Sequence, residues 1–186
     1  ERYLLNEVNT KIRLIRSRDN FCLMSTGQFK VKIMAASLLV RKVKVSPSVF
    51  LAHAKTLEKS LAKYPVRRVV CKAFTIPNGH LDATNEKLFT GQLPRRIVID
   101  MVDNEAFNGA FGQNPFNSKH FSLNEIALYL DGQQHGIKPL AMNFAAHQFI
   151  HAYKGLFTGT GKENRDEGNC ICRTDFENGY ALYAFD

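Results

Sequence analysis

The amino-acid sequence predicts an all-β fold of the jelly-roll class, with one or two short helical excursions. Several short segments alternate apolar and polar residues, turn residues separate these segments, and one segment has clear helical spacing. The chain of 186 residues suffices for one domain, or for one domain and part of another. Hydrophobic residues make up 45% of the chain and charged residues 23%, which excludes an intrinsically disordered protein. About seven or eight strands joined by long loops favour a sandwich or jelly roll over an alternating α/β sheet.

Three basic segments near the start of the chain have strand character, and the first two show the two-residue period of half-buried strands. Residues 11–16 alternate lysine and arginine with isoleucine and leucine, and residues 28–32 alternate phenylalanine and valine with lysine. Residues 38–45 combine leucine and valine with three basic side chains, which discourage unwanted pairing at a sheet edge. We predict a strand in each segment.

One helix is predicted between residues 46 and 64. Ser46 is a favourable N-cap, Pro47 suits the first helical turn, and Tyr64 with the proline after it ends the pattern. Between these signals, the apolar positions at helical spacing are Phe50, Ala54, Leu57 and Leu61. Residues 66–76 return to β-branched and alternating residues, so we expect the helix to be an excursion between strands.

The centre of the chain combines a turn, a buried strand and a long loop. Pro-Asn-Gly at residues 77–79 predicts the turn, and the apolar run at residues 96–102 predicts the strand. Residues 103–120 are rich in asparagine and glycine, which is typical of irregular structure. The phenylalanines of this loop would be costly to leave in water as a cluster, so we expect the loop to pack between barrels or subunits. The candidate interface residues are Phe107, Asn108, Gly109, Phe111, Asn114, Pro115 and Phe116.

The C-terminal part is predicted to contain two further strands. Residues 122–130 and 179–186 have strand character, and Asp-Gly at 131–132 predicts a turn after the first of them. Residues 140–157 are apolar without strict alternation and fit either helix or irregular structure. Residues 159–169 predict a polar loop.

Charge is distributed unevenly along the chain. Residues 1–95 carry 18 Lys and Arg against 6 Asp and Glu, whereas residues 96–186 carry 7 against 11. The first part is therefore +12 and the second −4. A basic surface attracts phosphate backbones, anionic surfaces or the acidic part of a neighbouring copy, and the sequence leaves all three open.

The sequence contains neither a candidate membrane span nor a signal peptide. The most apolar stretch, residues 33–40, is short and is followed at once by two basic residues, and the opening segment lacks an apolar run. Four cysteines are too few for a disulfide scaffold in a chain of this length, so a reducing compartment is expected. We predict a protein that is not secreted.

Two residue groups offer a weak metal-site alternative. On a helix, His147 and His151 would share a face, and Cys170 and Cys172 follow closely enough to complete a zinc tetrahedron. However, no glutamate follows His147 to act as a protease base, and Cys-x-Cys is less usual in zinc sites than Cys-x-x-Cys. We favour structural roles for these residues.

The second group is acidic, and it has no partner strand. Asp100, Asp103 and Glu105 lie at the end of a predicted strand, where Mg²⁺ sites are often found, but no carboxylate from another strand stands out. Gly-Thr-Gly-Lys at residues 159–162 lacks the spacing of a phosphate-binding loop, and no Gly-x-Ser-x-Gly elbow is present. We therefore predict no catalytic residue, no cofactor and no bound metal, and a protein that is not an enzyme.

Two strings of the sequence are distinctive, namely LFTGQLPRRIVIDMVDNEAFNGAFGQNPFN at residues 88–117 and SLNEIALYLDGQ at residues 122–133. The resemblance that they carry is to the major capsid proteins of Maverick or Polinton elements and of adintoviruses. It extends to ERYLLNEVNTKIRLIR at the start, FTGTGKENRDEGN at residues 157–169 and GYALYAFD at the end. Leu-Pro-Arg-Arg and Asn-Pro-Phe-Asn are its more specific strings.

The resemblance implies a double jelly-roll subunit that forms homotrimeric capsomers of an icosahedral shell around double-stranded DNA. Residues 1–45 would be the end of the first jelly roll with its connection, and residues 46–186 the second jelly roll, incomplete at its C-terminal end. Partners would be further copies, other capsid proteins and, non-specifically, the DNA. The location would be the virion or the interior of the host cell. A basic nucleic-acid-binding domain is the alternative, and a metal-dependent enzyme is a third.

Overall fold

The computed structural model describes residues 3–6, 8–27, 29–135 and 138–186. In chain order the elements are α1 (Asp19–Cys22), α2 (Pro47–Leu57), β1 (Ile97–Ile99), α3 (Asn104–Asn108), β2 (Glu125–Ile126), β3 (Tyr129–Leu130), β4 (Gln133–Gln134), β5 (Leu140–Ala141), α4 (Ile150–Gly159), α5 (Arg173–Glu177) and β6 (Tyr183–Phe185). No described helix is long and apolar enough to cross a membrane.

The strands form three separate two-stranded antiparallel sheets. In the described part of the chain β1 pairs with β6, β2 with β5 and β3 with β4. Helix accounts for 19% and strand, with isolated bridges, for 11%, and the described residues form no jelly-roll barrel. The prediction of an all-β jelly roll is therefore wrong, and the fold is mixed with small sheets.

The error lies mainly in the basic segments that alternate apolar and polar residues. Residues 11–16, 29–32, 38–45 and 66–76 belong to no strand, and Gln28, the first residue of one predicted strand, lies outside the described residues. Alternation favours an extended backbone, but a strand also needs a neighbouring backbone with which to exchange hydrogen bonds. The sequence pattern supplied the first condition only.

The chain divides into two compact units. Unit 1 consists of Glu1–Arg16 and Lys32–Thr75, and unit 2 of Ser17–Val31 and Ile76–Asp186. Among the described residues of unit 1, Leu5 is half-buried and all others are exposed. The backbone N–H of Leu5 donates to the Tyr64 hydroxyl at 3.1 Å. Unit 1 thus has no hydrophobic core among its described residues.

Helix α2 confirms the start of the predicted helix but not its length. It begins at Pro47 after Ser46, as the capping signals indicate, and it ends at Leu57 rather than Tyr64. The Ser46 side chain makes no capping hydrogen bond to the helix backbone, and no residue of α2 is buried. Because most helical stability in proteins comes from packing of an apolar face, an unpacked helix is expected to be short.

Unit 2 has its core where α4 packs against β6. Gly159, near the end of α4, approaches β6 so closely that a Cβ there would lie 2.7 Å from the Ala184 carbonyl oxygen. The buried cluster consists of Met142, Phe144, Phe149, Ala152, Leu156, Phe176, Ala181, Tyr183 and Ala184. Close backbone contact at this glycine therefore sets how near the helix lies to the strand.

A row of aromatic rings runs through this core. Phe144 stacks on Phe149 with ring centroids 5.1 Å apart, and Phe149 stacks on Phe176 at 5.8 Å. Phe176 then meets Tyr183 of β6 edge to face at 6.2 Å. Offset and edge-to-face pairs are each worth about 0.5–1.5 kcal/mol beyond burial of their area. The row ties α5 to α4 and β6.

Other predicted features of unit 2 are confirmed in part. Asp131, with φ 50°, and Gly132, with φ 79°, form the predicted turn, a two-residue hairpin loop that joins β3 to β4. The predicted strand at 122–130 is divided into β2 and β3, and β1 and β6 form within the predicted strands 96–102 and 179–186. The ambiguous segment 140–157 contains β5 and most of α4.

Candidate assembly interface

The loop at residues 103–120 is held in place by the segment around α1. The Asn20 side-chain amide donates to the Gly109 carbonyl oxygen, and the Ser25 N–H donates to the Phe111 carbonyl oxygen at 2.7 Å. Gly109 has φ 94°, and a Cβ there would lie 2.8 Å from the Asn20 side chain. This position therefore needs glycine for both its conformation and its space.

Polar side chains shape the loop from within. The Asp103 side chain caps α3 by accepting from the Glu105 N–H at 3.0 Å. Asn108 donates to the Asn104 carbonyl oxygen at 2.8 Å, and Asn114 accepts from the backbone N–H two residues later at 3.0 Å. Two of the predicted interface residues, Asn108 and Asn114, thus have a structural use within the loop.

The loop phenylalanines are spread over the loop rather than gathered in one cluster. Phe116 is 72% exposed and meets Phe21 of α1 edge to face at 5.8 Å. Phe107 is 46% exposed, Phe111 is half-buried, and Pro115 is buried. The contact with Phe21 carried no sequence signal, because that residue lies far away in the chain. Two large rings of the loop remain available on the surface.

A polar cavity of about 240 Å³ lies under this loop. Its lining residues are Asp103, Ala106, Gly112, Gln113, Asn114, Asn117 and Lys119. The Lys119 ammonium lies 3.6 Å from the Asp103 carboxylate, so the charges of the lining are paired. The other polar side chains of the lining are amides, namely Gln113, Asn114 and Asn117. None of these lining side chains is an obvious reactive group.

Unit 1 presents apolar and basic side chains side by side. Leu39 and Val69 are each 94% exposed, and Leu61 is 89% exposed. Unit 1 contains 14 Lys and Arg against 3 Asp and Glu, and unit 2 contains 11 against 14. Net charges are therefore +11 and −3. Exposed apolar residues on this scale are typical of a surface that contacts another molecule.

The proposed zinc residues do not come together. His147 has φ 53° and lies in a turn before α4, so it does not share a helix face with His151. Its Nδ1 lies 3.0 Å from the Glu177 carboxylate, and its carbonyl oxygen accepts from Arg173 at 2.9 Å. The described residues contain no group of three or more His, Cys, Asp or Glu side chains that could hold a metal.

The acidic residues after β1 also have separate partners. Asp100 accepts from the buried Ser118 hydroxyl at 3.0 Å, which joins the end of β1 to the end of the loop. Asp103 is the cap of α3, and Glu105 accepts from the Gln113 amide at 3.0 Å. These carboxylates stabilise local structure and do not converge on a common point.

The structure reveals one groove that the sequence did not indicate. It measures about 600 Å³, and its lining residues are Ala141, Met142, Asn143, His147, Gln148, Ile150, His151 and Arg173. Arg173 reaches it from α5, where its guanidinium lies 5.3 Å from the Phe149 ring centroid. These residues lie together because α5 packs against the turn before α4. Although His147 and His151 were noted in the sequence, no local motif predicts that they line a groove with Arg173.

Comparison with known proteins gives one relative of limited similarity. The chain is 29% identical over 192 aligned residues to an uncharacterized protein of Caenorhabditis elegans. The match covers 100% of this chain and 46% of the relative, so the chain spans about half the length of the relative. No family model matches the chain, and no solved structure matches it. The description of the relative names no activity, ligand or partner.

Proposed function

We propose that the protein is a structural subunit that associates with copies of itself as a trimer and contributes to a shell around double-stranded DNA. The observation that carries the proposal is the surface of unit 1, where apolar side chains such as Leu39 and Val69 are almost fully exposed. Burial of apolar area in a contact favours association, and the part that exceeds the entropy cost of binding appears as affinity. The sequence resemblance to viral capsid proteins supports a role as a shell subunit, although the described residues do not form the jelly roll that the resemblance implies.

The loop at 103–120 adds a second exposed apolar element. Phe107 and Phe116 keep large parts of their rings in contact with water, although hydrogen bonds from the α1 segment fix the loop backbone. A fixed loop loses little conformational entropy when its rings enter a contact. This favours a preformed contact surface over a mobile linker.

The described polar residues offer no support for the metal-enzyme alternative. Asp100, Asp103 and Glu105 each hold a local structural hydrogen bond, and His147 is paired with Glu177. A reaction centre needs several such groups aimed at one place. We therefore propose a structural role rather than a catalytic one.

The solution mass of the protein, measured by light scattering coupled to gel filtration, tests this proposal. We expect a stable trimer at moderate and at high salt, because apolar contacts are not screened by salt. Substitution of Leu39→Asp together with Val69→Asp is expected to yield a monomer. The matched control is Leu81→Asp in unit 2, which is fully exposed. A clean monomer of the unsubstituted chain would contradict the proposal.

A nucleic-acid-binding domain is the second candidate, and the charge of unit 1 favours it. The 14 basic against 3 acidic residues of this unit would attract a phosphate backbone. This candidate predicts a monomer or dimer whose DNA affinity falls steeply between about 50 mM and about 200 mM salt. The double variant Arg41→Glu, Lys42→Glu should reduce both the affinity and the salt slope. Filter binding with random-sequence duplex DNA measures both quantities.

A further inference from the structure

Strand β1 has an unpaired edge. Among the described residues, β6 is its neighbour on one side and no strand lies on the other. Val98 at its centre is 51% exposed, while Ile97 and Ile99 are half-buried. Unpaired N–H and C=O groups along a strand edge form a template on which another extended segment can pair.

Residues 38–45 of unit 1 have strand character but no strand partner among the described residues. They form no helix or strand, and every one of them is exposed. Leu39, Val43 and Val45 carry the apolar surface that a strand would bury. This segment therefore lacks what the edge of β1 supplies, namely a backbone ladder and a neighbouring apolar surface.

Charge indicates which surfaces of two copies fit together. Unit 1 at +11 repels unit 1 of another copy, whereas unit 2 at −3 attracts it. Near β1 the charges are mixed, with two arginines before the strand and Asp100 and Asp103 after it, whereas residues 38–45 carry three basic residues and no acidic one. A contact between unlike surfaces of identical chains is heterologous, and it gives a closed ring such as a trimer where the rotation between copies closes.

We propose that residues 38–45 of one copy add as a strand to the free edge of β1 in a second copy. The inference rests on the proposed function, because it specifies the contact by which copies associate. It also accounts for a segment with strand character that has no strand partner among the described residues of its own chain.

Cysteine cross-linking between differently substituted copies tests the contact. In a background where the four exposed cysteines are replaced by serine, Val98→Cys is mixed with Val43→Cys or Val45→Cys and oxidised. We expect a covalent dimer in the mixture and its loss when either variant is oxidised alone. The control is Val98→Cys mixed with Leu14→Cys, another exposed unit 1 position, for which we expect no dimer.

Hydrogen exchange on the unsubstituted protein provides an independent measurement. As concentration is raised and copies associate, amides of residues 38–45 and of β1 should gain protection together. If light scattering shows a trimer but neither the cross-link nor the protection appears, this strand contact is wrong while the proposed function stands. If the chain is a monomer at every concentration, the proposed function fails together with the contact.

Discussion

The two units use similar apolar side chains in different ways. Unit 2 buries Phe149, Phe176 and Tyr183 almost completely, whereas no described residue of unit 1 is buried. Valine and leucine are frequent in unit 1, so the difference is not one of apolar content. Unit 2 has a helix packed against a strand, and unit 1 has segments without such a partner. Apolar patterning thus indicates which side chains would gain from burial. Whether they are buried depends on a second helix or strand that packs against them.

The largest expected contrast comes from truncating one apolar side chain in each unit. Phe176→Ala removes a ring with 0% exposure that contacts Phe149, Tyr153 and Tyr183, so we expect a loss of about 3–5 kcal/mol in the free energy of unfolding. At a concentration where the chain is monomeric, Val69→Ala removes an exposed side chain and should change this free energy by less than about 0.5 kcal/mol. Urea unfolding followed by circular dichroism measures both. Similar losses for the two variants would remove the distinction between the units.

Two glycines of α4, Gly155 and Gly159, differ in how closely they approach β6. A Cβ at Gly159 would lie 2.7 Å from the carbonyl oxygen of Ala184, whereas a Cβ at Gly155 would meet nothing within 4 Å. Gly159→Ala should therefore lower the free energy of unfolding by about 1–3 kcal/mol through overpacking. Gly155→Ala should raise it by about 0.5–1 kcal/mol, because alanine favours the helix. Equal effects would show that α4 does not lie so close to β6.

Ionisation of the Tyr183 hydroxyl provides a test of whether β6 is buried. Its hydroxyl is buried and has no hydrogen-bond partner in the described part of the chain, and burial raises the pKa of Tyr183 from 10.0 to about 12. The neutral ring is favoured in the folded state, so stability should fall between pH 10.0 and about 12 as the unfolded chain ionises first. Tyr183→Phe should remove this part of the alkaline loss and stabilise the protein by about 1 kcal/mol near neutral pH.

Thermal unfolding as a function of pH measures the Tyr183 effect. Tyr180→Phe is the control, since that ring is 50% exposed. An unchanged alkaline limb in Tyr183→Phe would mean that another group causes the loss.

Local signals predicted local features well. The Asp131 and Gly132 turn, the start of α2 at Pro47, and strand character at β1 and β6 could be predicted from short stretches of sequence. Each depends on residues that lie next to one another in the chain, such as a proline in a first turn or residues that accept positive φ. The candidate loop at 103–120 was also identified from its composition, with the short helix α3 as an addition.

Features that depend on distant residues could not be predicted. The contact of Phe116 with Phe21, and the pairing of His147 with Glu177, join segments far apart in sequence. The same limit explains the wrong jelly-roll prediction, because alternation in residues 38–45 does not reveal whether a neighbouring strand exists. The sequence therefore predicts elements and turns of unit 2 better than it predicts the packing of either unit.

The smallest predicted effect concerns the cap that begins α5 in unit 2. The Cys172 Sγ accepts from the Asp175 N–H at 3.3 Å, and the Asp175 carboxylate accepts from the Cys172 N–H at 2.9 Å. Cys172→Ala should lower the free energy of unfolding by about 0.5 kcal/mol, Cys172→Ser should keep the cap, and Cys170→Ala serves as the control.

The pH dependence of this effect follows from Asp175. Hydrogen bonds from the Cys172 side chain and then its backbone hold the pKa of the Asp175 carboxyl below its ordinary value of 3.8. A lowered folded-state pKa means that the contribution of Asp175 is present above pH 3.8 and is lost as the pH falls through the folded-state value. The difference between Cys172→Ala and the unsubstituted chain should therefore shrink in acid, as urea unfolding at several pH values would measure. A difference that stays constant would mean that the effect of Cys172 does not depend on ionisation of Asp175, whereas no difference at any pH would mean that burial of Phe176 rather than capping holds α5.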